Sequence, residues 1–311
     1  MNAGKKLVPE QERLQRQYDM RKKIYGRTSP LPDSVDINQV RRVIDVAAGT
    51  CAWALEFAAL PQVRGQQGAI EIHVCDVDTA CFPPSSVLDA AGLKPFAQDI
   101  TQPFPDHLGQ FDIVHASLLF LYLTEEDWKA ALTNLRNILK PNGVILLEEV
   151  DPILLTELQD RQRREDSHGD AIQSYMKGST WRDKANSLYT GYMLRKQRVV
   201  GLSFRLPELA NALGLAVSAQ ENVSSPWGKL CAHRAGSKGD SLAEYEAESA
   251  SNLGLVFSFT GSVLAKENIL EIPFGNAVDN GVLPAVLNEI QEGLRSEGAM
   301  IQGSQFELRR M

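Results

Sequence analysis

The sequence predicts an α/β fold: a seven-stranded, mostly parallel sheet with helices on both faces, an N-terminal helix and a helical insertion. Three observations predict it. From Arg42 onward, short β-branched runs alternate with stretches of helical spacing, as strand–helix–strand crossovers require. The first strand, Val43-Ile44-Asp45-Val46, runs into a turn of small residues, Ala47-Ala48-Gly49-Thr50-Cys51, that opens a helix. The next strand ends on an acid, Asp76.

The elements follow in order. Residues 10–25 carry Leu14, Tyr18 and Ile24 at roughly helical spacing. Ser29-Pro30-Leu31-Pro32 breaks that helix. Strands are expected at 43–46, 70–76, 93–97, 111–115 and 144–149, with a helix over 50–60 on which Trp53, Phe57 and Leu60 share a face. Thr124 with Asp127 three residues on reads as a relative of the capping box, starting a helix that Lys140-Pro141-Asn142-Gly143 stops. Residues 152–205 are polar and helical in tendency, and they carry Tyr175, Trp181, Tyr189, Tyr192 and Met193. A helix over 206–213, a sixth strand over 216–220, helical stretches near 242–253 and 283–294, and a last strand over 304–309 complete the chain. No internal repeat, low-complexity tract or domain linker interrupts it.

Composition narrows the function classes. The 311 residues are 43% hydrophobic and 23% charged, ordinary values for a folded domain. The net charge of −7 and the lack of a long basic run argue against gripping nucleic-acid phosphates. Arg21-Lys22-Lys23 and Arg161-Gln162-Arg163-Arg164 are short, flanked by acids, and read as solvated helix faces. No apolar stretch approaches the roughly 20 residues of a membrane span, and the start of the chain lacks an apolar leader. The four cysteines, Cys51, Cys75, Cys81 and Cys231, form no CxxC pair. They read as reduced thiols without a metal, in a cytoplasmic protein. A homodimer is left open.

The chemistry-bearing residues fall on one edge of the predicted sheet. The small-residue turn lets a ligand approach the backbone at a helix N-terminus. Asp76 can accept both hydroxyl hydrogens of a ribose. In Gln98-Asp99-Ile100, the Asp99 carboxylate can accept from an adenine amino group and the Ile100 N–H can donate to a ring nitrogen. Together they fit an adenosine-containing ligand. The G-x-G-x-x-G path for a dinucleotide pyrophosphate is missing. No P-loop, H-E-x-x-H or Ser/His/Asp pattern points to phosphotransferase or hydrolase chemistry.

These motifs resemble those of the class I S-adenosylmethionine (SAM) dependent methyltransferases, whose fold is Rossmann-like. Asp45-Val46-Ala47-Ala48-Gly49-Thr50-Cys51 resembles their first motif, Asp76 the acidic second motif, and Asp99-Ile100 the adenine-contacting pair. Phe111-Asp112-Ile113-Val114-His115-Ala116 and Leu139-Lys140-Pro141-Asn142-Gly143 resemble later motifs. Glu12-Arg13-Leu14-Gln15-Arg16-Gln17-Tyr18 with Trp53-Ala54 is similar, more narrowly, to the LaeA-like methyltransferases of fungal secondary metabolism. The resemblance covers most of residues 10–150. It implies SAM as cofactor, held by Tyr18, Asp45, Ala47, Gly49, Asp76, Val77, Asp99, Ile100, His115, Ala116 and Ser117, with the methionine end near His115-Ala116 and Ser117. It also implies a helical lid within residues 1–35, in which Tyr18 is either a lid residue or a packed aromatic, and a methyltransferase domain over 36–311. A substrate cap around 152–205 would enclose a small molecule, with Trp227 contributing. The turn departs from the family at Ala47 and Cys51, where glycines are usual; Cys51 is expected inside the first helical turn.

Methyl transfer is a displacement at a sulfonium carbon, so alignment can supply most of the rate. Candidates for a general base are His115, His168 and Glu149, with Glu148 and Asp151 beside the last. Each has a structural alternative. Three functions stay open: methyl transfer to a small natural product, a non-methylating reaction such as cyclisation on the same scaffold, and a SAM-binding regulator.

Overall fold

The computed structural model describes residues 7–65, 69–165, 179–236, 238–267 and 280–311. Seven strands form one sheet: β1 (Arg42–Val46), β2 (Glu71–Asp76), β3 (Leu93–Ala97), β4 (Phe111–Ser117), β5 (Leu139–Leu155), β6 (Leu215–Trp227) and β7 (Ala299–Arg310). Their order is β3-β2-β1-β4-β5-β7-β6, and β7 runs antiparallel to the other six. The chain leaves β1 towards β2 and β3, then returns to add β4 on the other side of β1. In open α/β sheets ligands bind outside the carboxyl ends of the strands at such a reversal, here those of β1 and β4.

Helices cover both faces: α1 (Leu7–Tyr25), α2 (Ala52–Ala59), α3 (Pro61–Arg64), α4 (Ser85–Ala91), α5 (Glu125–Asn137), α6 (Glu157–Glu165), α7 (Trp181–Arg195), α8 (Leu202–Ala212), α9 (Glu246–Lys266) and α10 (Leu283–Ser296). Because strand side chains alternate, β1 gives Val43 to one face and Ile44 and Val46 to the other. Val43, Ile72, Val74 and Ile113 pack with Trp53 and Phe57 of α2 and Tyr18 of α1. On the opposite face, Ile44, Val46, Val114, Ile145 and Leu147 pack with Trp128, Leu132 and Leu135 of α5 and Leu206 of α8. Phe57 and Trp128 are fully buried, and each such side chain contributes about 1.5–3 kcal/mol. Helix α5 starts at the expected capping box: the Asp127 N–H donates to Thr124 Oγ1 while the Thr124 N–H donates to the Asp127 carboxylate.

Three expectations change. Strand β5 does not end at Glu149 but runs from Leu139 to Leu155, pairing Glu148 with Gln305 and Leu155 with Met300. Residues 152–155 are therefore strand, not cap. The acids that suggested a strand end are buried within it, where cations and backbone N–H groups neutralise their cost. Second, the helical layer that α7 belongs to draws on elements beyond residues 152–205. Helix α7 packs with α9 and α10, which are inserted between β6 and β7. Trp181, Tyr189, Tyr192 and Met193 are core residues of this cluster. Gly293 of α10 is needed there, since a Cβ would fall 2.2 Å from the Trp181 ring. Trp227 is likewise buried, its indole N–H donating to Ser225 Oγ at 2.8 Å. Tyr175 lies outside the described residues. Third, Arg21 is not on a solvated face: its guanidinium meets the buried Glu148 carboxylate at 2.9 Å.

No helix among the described residues is long and apolar enough to cross a membrane. Among the same residues, no group of three or more His, Cys, Asp or Glu side chains could hold a metal ion.

Candidate functional site

The turn after β1 has a special backbone. Ala47, Gly49 and Cys51 all adopt left-handed conformations, with φ of 54°, 53° and 58°. Glycine does this freely, whereas other L-residues pay roughly 1–2 kcal/mol each. The turn thus holds left-handed backbone at three alternate positions with a single glycine among them. Cys51 sits at the N-cap of α2, not inside the first helical turn as expected. It is buried, and burial pushes its thiol well above the usual range. The turn is held from β2: the Ala48 N–H donates to the Cys75 carbonyl at 3.0 Å, and the Gly49 N–H to Asp76 Oδ2 at 2.9 Å. A Cβ on Gly49 would meet no atom within 4 Å, so the turn's outer side is open.

Asp76 ends β2 as expected, and its Oδ1 accepts the Asp78 N–H at 3.0 Å. Val77 beside it is 73% exposed. Asp99 follows β3 in an Asx turn, Oδ1 accepting from the Thr101 N–H at 2.9 Å and hydroxyl at 2.8 Å. The carbonyl of the buried Ile100 accepts from Asn134 of α5 at 2.9 Å, which anchors that loop. Asp76 and Ala97 are register partners in adjacent strands, so the loop of Asp99 and Ile100 leaves the sheet beside Asp76.

The β1–β4 pair carries a buried polar row. Asp45 and His115 are register partners, joined by a 2.7 Å hydrogen bond between Oδ1 and Nδ1. The His115 ring stacks on Trp53 at 4.2 Å between centroids and 3° between planes. With one nitrogen and one ring face engaged and little exposure, His115 is placed to orient β1, β4 and α2. Ala116 is buried, and Ser117, at the end of β4, pairs in register with Glu148. Glu148 binds Arg21 and Arg27 from the α1 region. Burial would raise its carboxyl, but the two guanidiniums outweigh burial and hold it below the usual range. Tyr18 is buried on the same helix, and its hydroxyl donates to Glu56 of α2 at 2.7 Å. Burial, then Glu56, push that phenol far above its usual range. Gln11 reaches the Cys81 carbonyl at 3.3 Å, and Arg16 and Lys23 pair with Glu248 and Glu244. Helix α1 is therefore a strap from the β2 edge across α2 to β5 and α9.

Glu149 is fully buried and accepts the Leu119 N–H at 2.9 Å and the Phe120 N–H at 3.1 Å. Burial dominates those donors and pushes its carboxyl up to about 8. Asp45, Ala47, Gly49, Asp76 and Val77 lie together at the carboxyl ends of β1 and β2, beside the end of β4. His168 lies outside the described residues. Sequence reasoning missed Trp53 as the partner of His115, and Arg21 and Arg27 as partners of Glu148. A separate cavity of about 400 Å³ lies between Ile24, Asp160, Glu221, Arg234 and Met300, and none of the residues expected at the cofactor site lines it.

A sheet in this order, reversing direction between β1 and β4, defines the Rossmann-like class of α/β domain. Residues 43–143 match the family described as "Methyltransferase domain". Over this stretch the chain is similar to class I methyltransferases, LaeA-like proteins among them. It is similar to methyltransferase str2 of Strobilurus tenacellus, 23% identical over 117 residues (38% of each protein). Methyltransferase grgD of a Penicillium sp is 30% identical over 122 residues, 38% of this chain and 41% of that protein. The secondary metabolism regulator laeA of Coprinopsis cinerea is 29% identical over 113 residues, 36% of this chain and 25% of that protein. The match spans about two-fifths or less of each relative's length. Among solved structures, the [4+2]-cyclase SpnF is 16% identical with a TM-score of 0.44, over 95% of this chain and 81% of that one. An O-methyltransferase from a trans-AT PKS multienzyme of Brevibacillus brevis is 13% identical at a TM-score of 0.44, over 100% of this chain and 80% of that one.

Proposed function

We propose that the protein transfers a methyl group from SAM to a small-molecule acceptor of the secondary-metabolite class. The observation that carries this reading is the left-handed turn of Ala47, Gly49 and Cys51, tied to Asp76 and open above Gly49, within a methyltransferase domain. The cofactor is SAM, which supplies an electrophilic methyl group on a good leaving sulfur. The residues fit it: the turn carries no basic side chain for a pyrophosphate, and SAM has none. A carboxylate offers about four acceptor positions. Asp76 uses two for backbone N–H groups, leaving capacity for a ribose diol. Asp99 and Ile100 would take the adenine, and His115, Ala116 and Ser117 would carry the methionine end.

In this reading residues 1–35 supply a lid, with Tyr18 in helix α1 facing the turn's helix. Residues 36–311 form the catalytic domain, and the cap around 152–205, extended by α9 and α10, excludes water from the acceptor. Alignment of acceptor and methyl group does most of the work. His115 and Glu149 are better suited to hold the frame than to take a proton, since both are buried and engaged. The test is incubation with methyl-labelled SAM and a panel of phenolic, carboxylic and amine metabolites. Label in an acceptor supports methyl transfer; SAM bound without any transfer across the panel would favour a regulator or a non-methylating enzyme.

A further inference from the structure

The chain does something unusual just past β4. Leu118 adopts φ of 59°, a left-handed conformation that leucine rarely takes. Its N–H still donates to the Glu148 carbonyl at 2.9 Å, so the kink occurs while the β4–β5 ladder is intact. The next two N–H groups, of Leu119 and Phe120, point away from any strand partner. They go one to each oxygen of Glu149, at 2.9 and 3.1 Å. The turn then closes by the Tyr122 N–H donating to the Leu119 carbonyl at 2.9 Å. Both residues and Glu149 itself are buried, so bulk water does not substitute for these bonds. A carboxylate is the side chain that matches two successive N–H groups with two acceptors. Glutamine would present a donor to one of them.

We propose that Glu149 is a positioning residue: its carboxylate pins the strained Leu118 turn and thereby fixes the adjoining Ser117 backbone, which in the SAM reading receives the methionine end of the cofactor. This inference rests on the SAM reading above. Glu149 then contributes through geometry and not as a base, because both its oxygens are spent on backbone N–H groups. The strain at Leu118 persists because the surrounding bonds over-determine it.

The test compares two ligands by calorimetry at pH 9, above the value of about 8 to which burial pushes Glu149, so that the ionised carboxylate is the species probed. S-adenosylhomocysteine has the amino-acid end, whereas methylthioadenosine keeps the nucleoside and sulfur without it. Glu149→Gln should weaken S-adenosylhomocysteine by about tenfold or more, while methylthioadenosine changes by less than about twofold. Adding Leu118→Gly should recover part of the loss, since glycine holds the left-handed turn unaided. Glu149→Asp, which keeps the charge but withdraws it by one methylene, should show the same selective loss and serves if the glutamine variant does not fold. Equal losses for both ligands, no loss, or no recovery by Leu118→Gly would overturn the proposal. If the unaltered protein binds neither ligand, the SAM reading fails instead.

Discussion

Asp45 and His115 face each other across β1 and β4, and their 2.7 Å hydrogen bond lies beneath the turn that begins two residues after Asp45. Asp45 is only 2% exposed, and Trp53 of α2 covers the imidazole. The pair thus couples β1, β4 and helix α2.

His115→Ala removes a bond to a buried carboxylate and the ring on which Trp53 stacks. Loss of the bond and the cavity together should cost about 2–4 kcal/mol, read from the denaturant midpoint. A variant as stable as the parent would show that this row carries no structural weight.

Ala47 and Cys51 hold positive φ without glycine. Ala47→Gly relieves roughly 1–2 kcal/mol of backbone strain and loses roughly 0.5–1 kcal/mol to unfolded-state entropy. The net expectation is a gain of about 0.5–1 kcal/mol in unfolding free energy. Cys51→Gly also loses a fully buried thiol, worth about 1 kcal/mol, so its effect should be close to zero. A clear loss of stability in Ala47→Gly would contradict the turn geometry.

Neighbouring acids of β5 respond to pH in opposite senses. Glu148 is held below its ordinary 4.5 in the folded state, so it stabilises above that pH, and the benefit disappears as pH falls through the lowered folded value. Glu149 is raised to about 8, so the folded state retains a proton that the unfolded chain releases. Its contribution to stability therefore declines as pH rises from about 4.5 to about 8 and is level beyond. Unfolding measured from pH 5 to pH 9 should show a decline on the order of a few kcal/mol that Glu149→Gln flattens. The same slope in both proteins would refute the assignment.

The parts of this fold that were legible in the sequence are those set by local pattern. Strand–helix alternation, the Thr124–Asp127 cap and the order of Asp45, Asp76 and Asp99 depend on neighbours a few residues apart. The remainder depends on partners far along the chain. Glu148-Glu149-Val150-Asp151-Pro152 reads as the end of a strand because three acids and a proline disfavour burial. It is interior strand because Arg21 and Arg27, more than a hundred residues earlier, neutralise Glu148, and because a turn thirty residues earlier supplies Glu149 with its N–H donors. The left-handed Leu118 and Cys51 carry no signal in residue type, since neither is a residue that favours that conformation. The packing of α9 and α10 onto α7 is a tertiary fact that their own helical patterns do not carry.

The most direct test of the account is calorimetric titration of SAM into the protein and into Asp76→Ala. The account predicts saturable binding to the parent and a loss of about tenfold or more in the variant, as removal of a carboxylate that accepts ribose hydroxyls requires. No binding to the parent at millimolar SAM, or equal affinity in the two proteins, would contradict it.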